Sequence, residues 1–497
     1  MNSIVQFFQN LTWDTVCSWF LFDPKNPLLF NSALFLGLFI VFYAIYMASK
    51  KTHYFRITYV VLFSLFFYYK SSGVYFWLLI FSSVVDYSLS RLIFVEPVKF
   101  YRKFYLILSL LINLGLLAYF KYTNFFIDNF NKLFSEDVAF QDIILPVGIS
   151  FYTFQTLSYT IDVYRKELEP TKSFIDFLFF VSFFPQLVAG PIVRASDFIP
   201  QIYQKLNLTK EDFNKALFLI IGGLLKKAVI SDYISVNFVD RVFDAPNSYT
   251  AFENLMASYG YAIQIYCDFS GYSDMAIGLA LLMGFTLPPN FLTPYKSASI
   301  TEFWRRWHIS LSSWLRDYLY ISMGGNRKGK IRTYFNLFMT MFLGGLWHGA
   351  NWKFVFWGVL HGLALAVERF FQTRIKLPKN TVIKGIQIFL TFHFVVFCWL
   401  FFRAKDFETV FVMLDNISNI KWNWNQIQTI ILGYKNVFLL MLFGYIWHFI
   451  PSKFTRLNEN YFGKLSWVIQ AIILGFVFWI VFATAAEGTQ PFIYFQF

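Results

Sequence analysis

From residue 26 to residue 49 the chain carries no Asp, Glu, Lys or Arg. About 20 consecutive apolar residues are what an α-helix needs to cross a bilayer. In hydrocarbon, every backbone polar group must find its partner within its own segment, which leaves helices as the natural reading. Further apolar runs occupy residues 54–69, 74–94, 104–120, 174–189, 213–226, 332–352, 354–370, 386–402, 437–450 and 465–483. Residues 143–163 and 253–287 are more polar, yet too apolar for surface domains. The expected fold is all-α: a polytopic membrane protein of about 11 transmembrane helices.

Composition excludes the soluble alternatives. Of 497 residues, 57% are apolar and only 14% are charged, against roughly 25% charged in a typical globular domain. The net charge of +13 is then the excess that cytoplasmic loops supply, and no nucleic-acid partner is expected. Cys17, Cys267 and Cys398 lie far apart and suggest neither a disulfide framework nor a zinc site. Met1–Asn10 lacks Lys and Arg, so no cleaved signal is expected. Residues 1–25, with Trp13 and Trp19 in an otherwise mixed stretch, suggest an interfacial segment, and residues 26–497 a single membrane domain.

Glycine and proline punctuate the middle of the chain: LPVGIS at 145–150, VAGPIV at 188–193 and GFTLPPNFLTPY at 284–295. Such breaks at membrane depth persist only when buried in protein or lining a cavity, so a re-entrant core is expected over about residues 142–361. Between residues 302 and 332, Arg305, Arg306, Arg316, Arg327, Lys328, Lys330 and Arg332 stand against only Glu302 and Asp317. This stretch, like Lys50, Lys51 and Arg56, suggests a cytoplasmic surface, which places the N-terminus outside. No repeat and no nucleotide or metalloprotease motif is present. GGNRKG at 324–329 suggests a turn at the membrane face or a contact for an anionic donor.

Of six histidines, His348 is the most suggestive. It sits in FLGGLWHGANW, inside a charge-free run, where a titratable group is costly unless paired or facing a cavity. Gly344, Gly345 and Gly349 would let backbone or substrate approach it closely, and imidazole can exchange a proton near neutral pH. The competing reading is a structural histidine satisfied by neighbouring helices. His308 lies in TEFWRRWHISLSSWLRDYLY, where Trp304, Trp307, Leu311, Trp314, Leu315 and Tyr318 make an aromatic stripe on one helical face. That segment is either an interface helix or a helix across a cavity mouth that delivers His308 inward. On one uninterrupted helix, His361 would face nearly opposite to His348, which argues against a histidine metal pair.

YCDFSGYSDM at 266–275 holds Asp268 and Asp274 in apolar surroundings. Buried carboxylates need partners, and helix-end amides or the Arg-rich segment could supply them. Gly271 suggests an interruption between two helical pieces. Asn336 is either a packing residue or a cavity-lining one.

The long motifs SFYTFQTLSYTIDVYR (150–165), PQLVAGPIVR (185–194), YCDFSGYSDMAIGLALLMGF (266–285), SITEFWRRWHISLSSWLRDYLYISMGGNRKG (299–329) and NLFMTMFLGGLWHGANW (336–352), with the ending PFIYFQF (491–497), carry a resemblance. The chain resembles the membrane-bound O-acyltransferase family in its alginate O-acetylation branch, with the teichoic-acid D-alanyl transferases nearby. Cys267 stands where that branch often has an aromatic residue. The resemblance implies a catalytic His348 and His308. It makes Asn336, Asp268 and Asp317 recurrent polar positions; separately, the charge of Arg305, Arg306 and Arg316 suggests a cytoplasmic entrance for an anionic donor. The resemblance further implies acetyl transfer from acetyl-CoA or an acylated carrier protein to hydroxyls of an extracytoplasmic polysaccharide, without a metal or tightly bound cofactor. An SGNH-type acyltransferase outside a bacterial inner or cytoplasmic membrane is the implied partner. D-alanylation of teichoic acid and a non-catalytic acyl or polysaccharide transporter are the alternatives.

Overall fold

The computed structural model describes residues 12–24, 27–375, 378, 380–484 and 492–493. Within them every regular element is helical. Five helices are long and apolar enough to cross a membrane: His53–Val95, Lys99–Phe134, Trp352–Gln372, Thr381–Arg403 and Trp467–Thr484. A sixth is possible if Trp424–Gly433 and Lys435–Phe449, bent by 86° at their junction, count as one span.

The expected count of about 11 is therefore not reproduced. Residues 54–69 and 74–94 belong to one helical run, and residues 174–189 form only Phe174–Ser182 and Phe184–Leu187. Hydropathy does not distinguish a lipid-facing helix from one enclosed by other helices. By their contacts the residues cluster into two compact units.

Unit 1 comprises Met1–Thr123, Ala139–Asn207 and Met283–Phe285. Its helices are α1 (Trp13–Phe20), α2 (Ala33–Ala48), α3 (His53–Ser72), α4 (Phe76–Val95), most of α5 (Lys99–Phe134), α6 (Ile149–Arg165), α7 (Phe174–Ser182), α8 (Phe184–Leu187) and α9 (Ala195–Ile202). The unusual phenylalanine content builds its core. Phe184, fully buried in the break before Pro185, meets the rings of Phe30, Phe35, Phe39, Phe42, Phe63 and Phe67 at 5.2–6.3 Å. Two punctuation motifs also converge here. Gly148 takes a positive φ of 76°, and a Cβ on it would lie 2.7 Å from the Leu187 carbonyl oxygen. Residues 1–11 and 25 of the interfacial segment lie outside the described residues; among those described, α1 is helical.

Unit 2 comprises Asn124–Val138, Leu208–Leu282 and Thr286–Phe497. Here α10 (Lys210–Leu224) runs on into a π-helical stretch, Leu225–Ser231, and packs against α11 (Ala251–Leu282). Then follow α12 (Ile300–Arg306), α13 (Ile309–Trp314) with its π-helical extension Leu315–Tyr320, α14 (Lys330–His348), α15 (Trp352–Gln372), α16 (Thr381–Arg403), α17 (Phe407–Ser418), α18 (Trp424–Gly433), α19 (Lys435–Phe449), α20 (Ser452–Lys464) and α21 (Trp467–Thr484).

Helix α11 is 32 residues long and continuous, so Gly271 does not interrupt it. Its role is close approach: a Cβ on Gly271 would lie 2.8 Å from the Gly223 oxygen, and one on Gly223 2.6 Å from the Gly271 oxygen. A similar crossing joins α14 to α15, where a Cβ on Gly345 would collide with the Phe354 carbonyl oxygen and one on Gly358 with the Met341 oxygen.

Candidate active site

The segment around His308 is not one amphipathic helix. Helix α12 stops at Arg306 and α13 starts at Ile309, with His308 between them in a left-handed conformation of φ 43° and ψ 55°. A non-glycine residue pays for such a backbone geometry, and it persists only where the surroundings hold it. Asn290 does the holding. Its backbone oxygen accepts the Ile309 N–H at 2.9 Å. Its Oδ1 accepts the Ser310 N–H at 3.2 Å and the Ser310 hydroxyl at 2.9 Å, while its Nδ2 donates to Ser273 Oγ on α11 at 3.2 Å. Leu292 N–H donates to the Arg306 oxygen at 2.9 Å, closing the other side of the break.

The break turns Trp307 and His308 inward together, and both are buried. The His308 ring stands perpendicular to Phe269 of α11, with centroids 4.6 Å apart. It lies 6.3 Å from Trp347. His308 belongs to none of the spanning helices, and burial pushes its imidazole down to about 3, so the ring is neutral at physiological pH.

His348 ends α14. The chain turns through extended Gly349, and Asn351 caps α15 by accepting the Lys353 N–H at 3.0 Å. Of the two uses expected for the glycines, close approach of backbone or of substrate, the packing around them shows the first, with the Phe354 oxygen against Gly345. A Cβ on Gly349 would strike the Phe354 ring, and one on Gly344 would lie 3.3 Å from Leu315. The His348 ring contacts Trp347 at 5.1 Å, Trp357 at 5.1 Å and Phe402 at 5.3 Å.

Both histidines therefore contact one indole, that of Trp347. Around them Trp307 contacts Trp399 at 4.9 Å, and Trp399 stacks on Trp357 at 5.9 Å. This aromatic enclosure reaches to Phe402. His361 lies on α15 rather than on a continuation of α14, so the condition of one uninterrupted helix does not hold. It shares Trp357 with His348 at 4.8 Å, and its Nδ1 accepts the Trp304 indole N–H at 3.3 Å.

The remaining candidates sit elsewhere. Asn336 lies 12 residues before His348 on α14, roughly 18 Å along the helix axis. Its Nδ2 donates to the Gly325 oxygen at 2.9 Å and the Met323 oxygen at 3.4 Å, tying down the GGNRKG turn. Gly324, Gly325 and Gly329 all adopt positive φ there. Asp317 is gripped at 2.6 and 3.0 Å by its neighbour Arg316, whose side chain is exposed. Arg306 pairs with Glu302 at 2.7 Å, and Arg305 is exposed.

Asp268 neighbours Phe269, the ring that supports His308, and its carboxylate is buried. Its cation is not from the Arg-rich segment. Lys227, in the π-helical stretch, bridges Asp268 at 2.6 Å and Asp232 at 2.7 Å, while Lys226 pairs with Asp274 at 2.5 Å. Asp268 also accepts the Ile493 N–H at 3.1 Å, and Phe492 packs on Phe269 and Tyr272. Thus part of the PFIYFQF ending reaches this face of α11; residues 491 and 494–497 lie outside the described residues.

Sequence reasoning did not single out Asn290, Lys227, Trp347, Trp357 or Trp399. For Asn290 a signal exists: it is the one amide in an apolar, proline-rich stretch just before the Trp-rich segment. For the tryptophans, the excess of indoles near both histidines was visible without their arrangement.

Residues 79–405 match the membrane-bound O-acyltransferase family. A probable alginate O-acetylase of Pseudomonas putida is 39% identical over 414 residues, covering 79% of this chain and 84% of its own length. A peptidoglycan O-acetyltransferase of Helicobacter pylori is 35% identical over 520 aligned positions, covering 95% and 98%. A teichoic acid D-alanyltransferase of Bacillus subtilis is 32% identical over 285 residues, covering 54% and 71%.

Proposed function

The chain belongs to the membrane-bound O-acyltransferase family, and from that premise we propose that it is a multi-pass membrane O-acetyltransferase that delivers acetyl groups towards hydroxyls of a cell-surface polysaccharide. The observation that carries the chemistry is the pair His308 and His348 on Trp347, enclosed by aromatic side chains within the matched region.

His348 takes the proton of an acceptor hydroxyl as that oxygen attacks the acetyl carbonyl carbon of a thioester donor. The C–O bond forms, the C–S bond breaks, and the proton passes to the leaving thiolate, giving an ester and a free thiol. His308, neutral, contacts the same indole and donates to the carbonyl oxygen as negative charge develops. The donor is acetyl-CoA or an acetylated carrier protein reaching the site from the cytoplasmic side, past Arg305, Arg306 and Arg316. The membrane is the bacterial cytoplasmic one. An SGNH-type acyltransferase outside completes transfer to the polymer. Acetyl is favoured over D-alanyl by the wider and more similar match to O-acetylating relatives.

The test uses proteoliposomes with labelled acetyl donor sealed inside and polysaccharide outside, with and without the soluble partner. His348→Gln should insert normally and lower transfer by roughly 10²-fold or more, the scale of a positioned proton-transfer group. Unchanged transfer by the inserted variant would remove His348 from the base role. Polysaccharide crossing without ester formation would replace the enzyme with a transporter.

A further inference from the structure

Helix α5 is longer than a bilayer is thick. Its 36 residues rise about 54 Å, against about 30 Å of hydrocarbon. The charge-free run 104–120, between Lys103 and Lys121, covers most of the apolar depth. Beyond Lys121 a polar residue returns in every turn: Asn124, Asp128, Asn129, Asn131 and Lys132. This last stretch, Asn124–Val138, belongs to unit 2. Trp352 anchors it: the indole N–H donates to Asn129 Oδ1 at 2.7 Å, and the ring meets Phe125 at 5.6 Å. The tip is clamped as well. Ser135 turns the chain with a positive φ of 56°, and Asn131 then donates to the Val138 oxygen at 2.9 Å and accepts its N–H at 3.0 Å.

A neighbouring face of the same stretch is apolar and open. Phe126, Phe130, Leu133 and Phe134 share one side of the helix by their spacing. All four are exposed, Leu133 by 76%, and so is Val138. Phe130 and Phe134 lie against each other at 4.8 Å. A contiguous apolar patch on a hydrated element marks an interaction surface. Its charge says which kind. Glu136 and Asp137 are exposed at the tip, Asp128 is already paired with Lys132 at 2.7 Å, and no Lys or Arg occurs between Lys132 and Arg165. An anionic headgroup layer attracts basic segments, so lipid is a poor cover for this acidic one.

The patch also lies at a defined end of the site. Helix α5 opens with Lys99, Arg102 and Lys103, and α14 opens with Lys330 and Arg332. The positive-inside tendency puts both openings at the cytoplasmic face. His348 closes α14, roughly 27 Å from Lys330 along the axis. Trp352, four residues after His348, is the group that touches the far end of α5.

We propose that Asn124–Val138 is the docking surface for the extracytoplasmic protein that receives the acyl group, and that this protein presents Lys or Arg beside apolar side chains. The apolar part of that partner covers Phe126, Phe130, Leu133 and Phe134, and its cations meet Glu136 and Asp137. The surface rests on the partner-assisted transfer described above, but docking is measured without any reaction.

The experiment uses the full chain carrying Cys17→Ser in proteoliposomes oriented as in the cell, with the purified SGNH-type acyltransferase of the transfer assay as probe. Cys267 and Cys398 are buried, so Phe130→Cys supplies the reporting thiol. A membrane-impermeant maleimide added outside should label it, and the partner should protect it. Phe126→Ser with Leu133→Ser should raise the partner concentration needed for protection by about tenfold or more, the scale of losing interface anchors. Glu136→Lys with Asp137→Lys should do the same, and added salt should weaken protection of the parent chain. Both double variants should insert as the parent does. A thiol unreactive from outside, or reactive only from the cytoplasmic side, would overturn the proposal. So would equal protection of the parent and the inserted variants, or protection that grows with the density of this chain alone, which would assign a second copy. Partner-dependent acetyl transfer kept in full by both variants would overturn the docking surface and leave the proposed function standing. Protection by a partner that has no effect on transfer would support the surface and remove the partner from the reaction.

Discussion

Each unit buries an aspartate in apolar surroundings, and they satisfy it in opposite ways. In unit 1, Asp86 of α4 is fully buried and is met by neutral donors from two other helices: the Ser109 hydroxyl at 2.5 Å, the Asn113 amide at 2.9 and 3.0 Å, and the Thr160 hydroxyl at 3.4 Å. In unit 2, Asp268 is met by a lysine that it shares with Asp232. Neutral donors satisfy lone pairs one at a time, so loss of one leaves the others in place. The lysine concentrates the compensation in one residue, and its loss strands two acids together. The unit that carries the histidines keeps fixed charge beside them; Phe269, next to Asp268, is the ring on which His308 rests.

The largest effect should follow Lys227→Met. With Asp268 and Asp232 left unpaired, unfolding measured by heat or by SDS titration should lose about 3–5 kcal/mol, the scale for breaking a buried pair by removing one partner. Adding Asp268→Asn to that variant should recover part of the loss. No recovery would mean that Lys227 acts by packing rather than by charge.

Asp86→Asn should cost less, about 1–3 kcal/mol, because its new NH₂ opposes the Asn113 amide donor while the hydroxyl contacts survive. A loss as large as that of Lys227→Met would erase the distinction between distributed and concentrated compensation.

The smallest effect is expected where water does most of the work. Asp406, near the surface, caps α17 by accepting the Thr409 N–H at 2.8 Å and its hydroxyl at 2.7 Å. These bonds hold its carboxyl below the usual range. The folded value lies below the unfolded value near 4, so the contribution is present above that pH and fades as pH falls through the folded value. Asp406→Ala should cost about 1 kcal/mol at pH 7, with the gap to wild type narrowing under acid. A gap constant from pH 7 to pH 3 would mean that the cap is not the source.

The sequence displayed the membrane class through its apolar runs and drew the eye to His348 as a titratable ring within one of them, whereas His308 was suggested by the aromatic stripe around it and by the resemblance. It did not display the number of spans. Helix α11 has 24 of its 32 residues buried, and an apolar composition is the same whether neighbours or lipid cover it. Periodicity over residues 301–320 suggested one stripe, because a single left-handed residue at His308 leaves no mark on spacing. The partner of Asp268 was missed for a different reason. Lys227 is 41 residues distant, and only the facing glycines, Gly223 and Gly271, bring the two backbones close enough for its side chain to reach.

That crossing has a mechanical consequence. Lys226 and Lys227 are consecutive, yet their acids lie three residues to either side of Gly271, at Asp274 and Asp268, a separation of roughly 9 Å along α11. The two pairs pull in opposed directions along the helix, so a slide either way stretches one of them, while rocking about the glycine contact stretches neither by much. The crossing is a pivot without a stroke. A slide of α10 and its extension along α11 therefore breaks one ion pair, whereas a turn about the glycines keeps both.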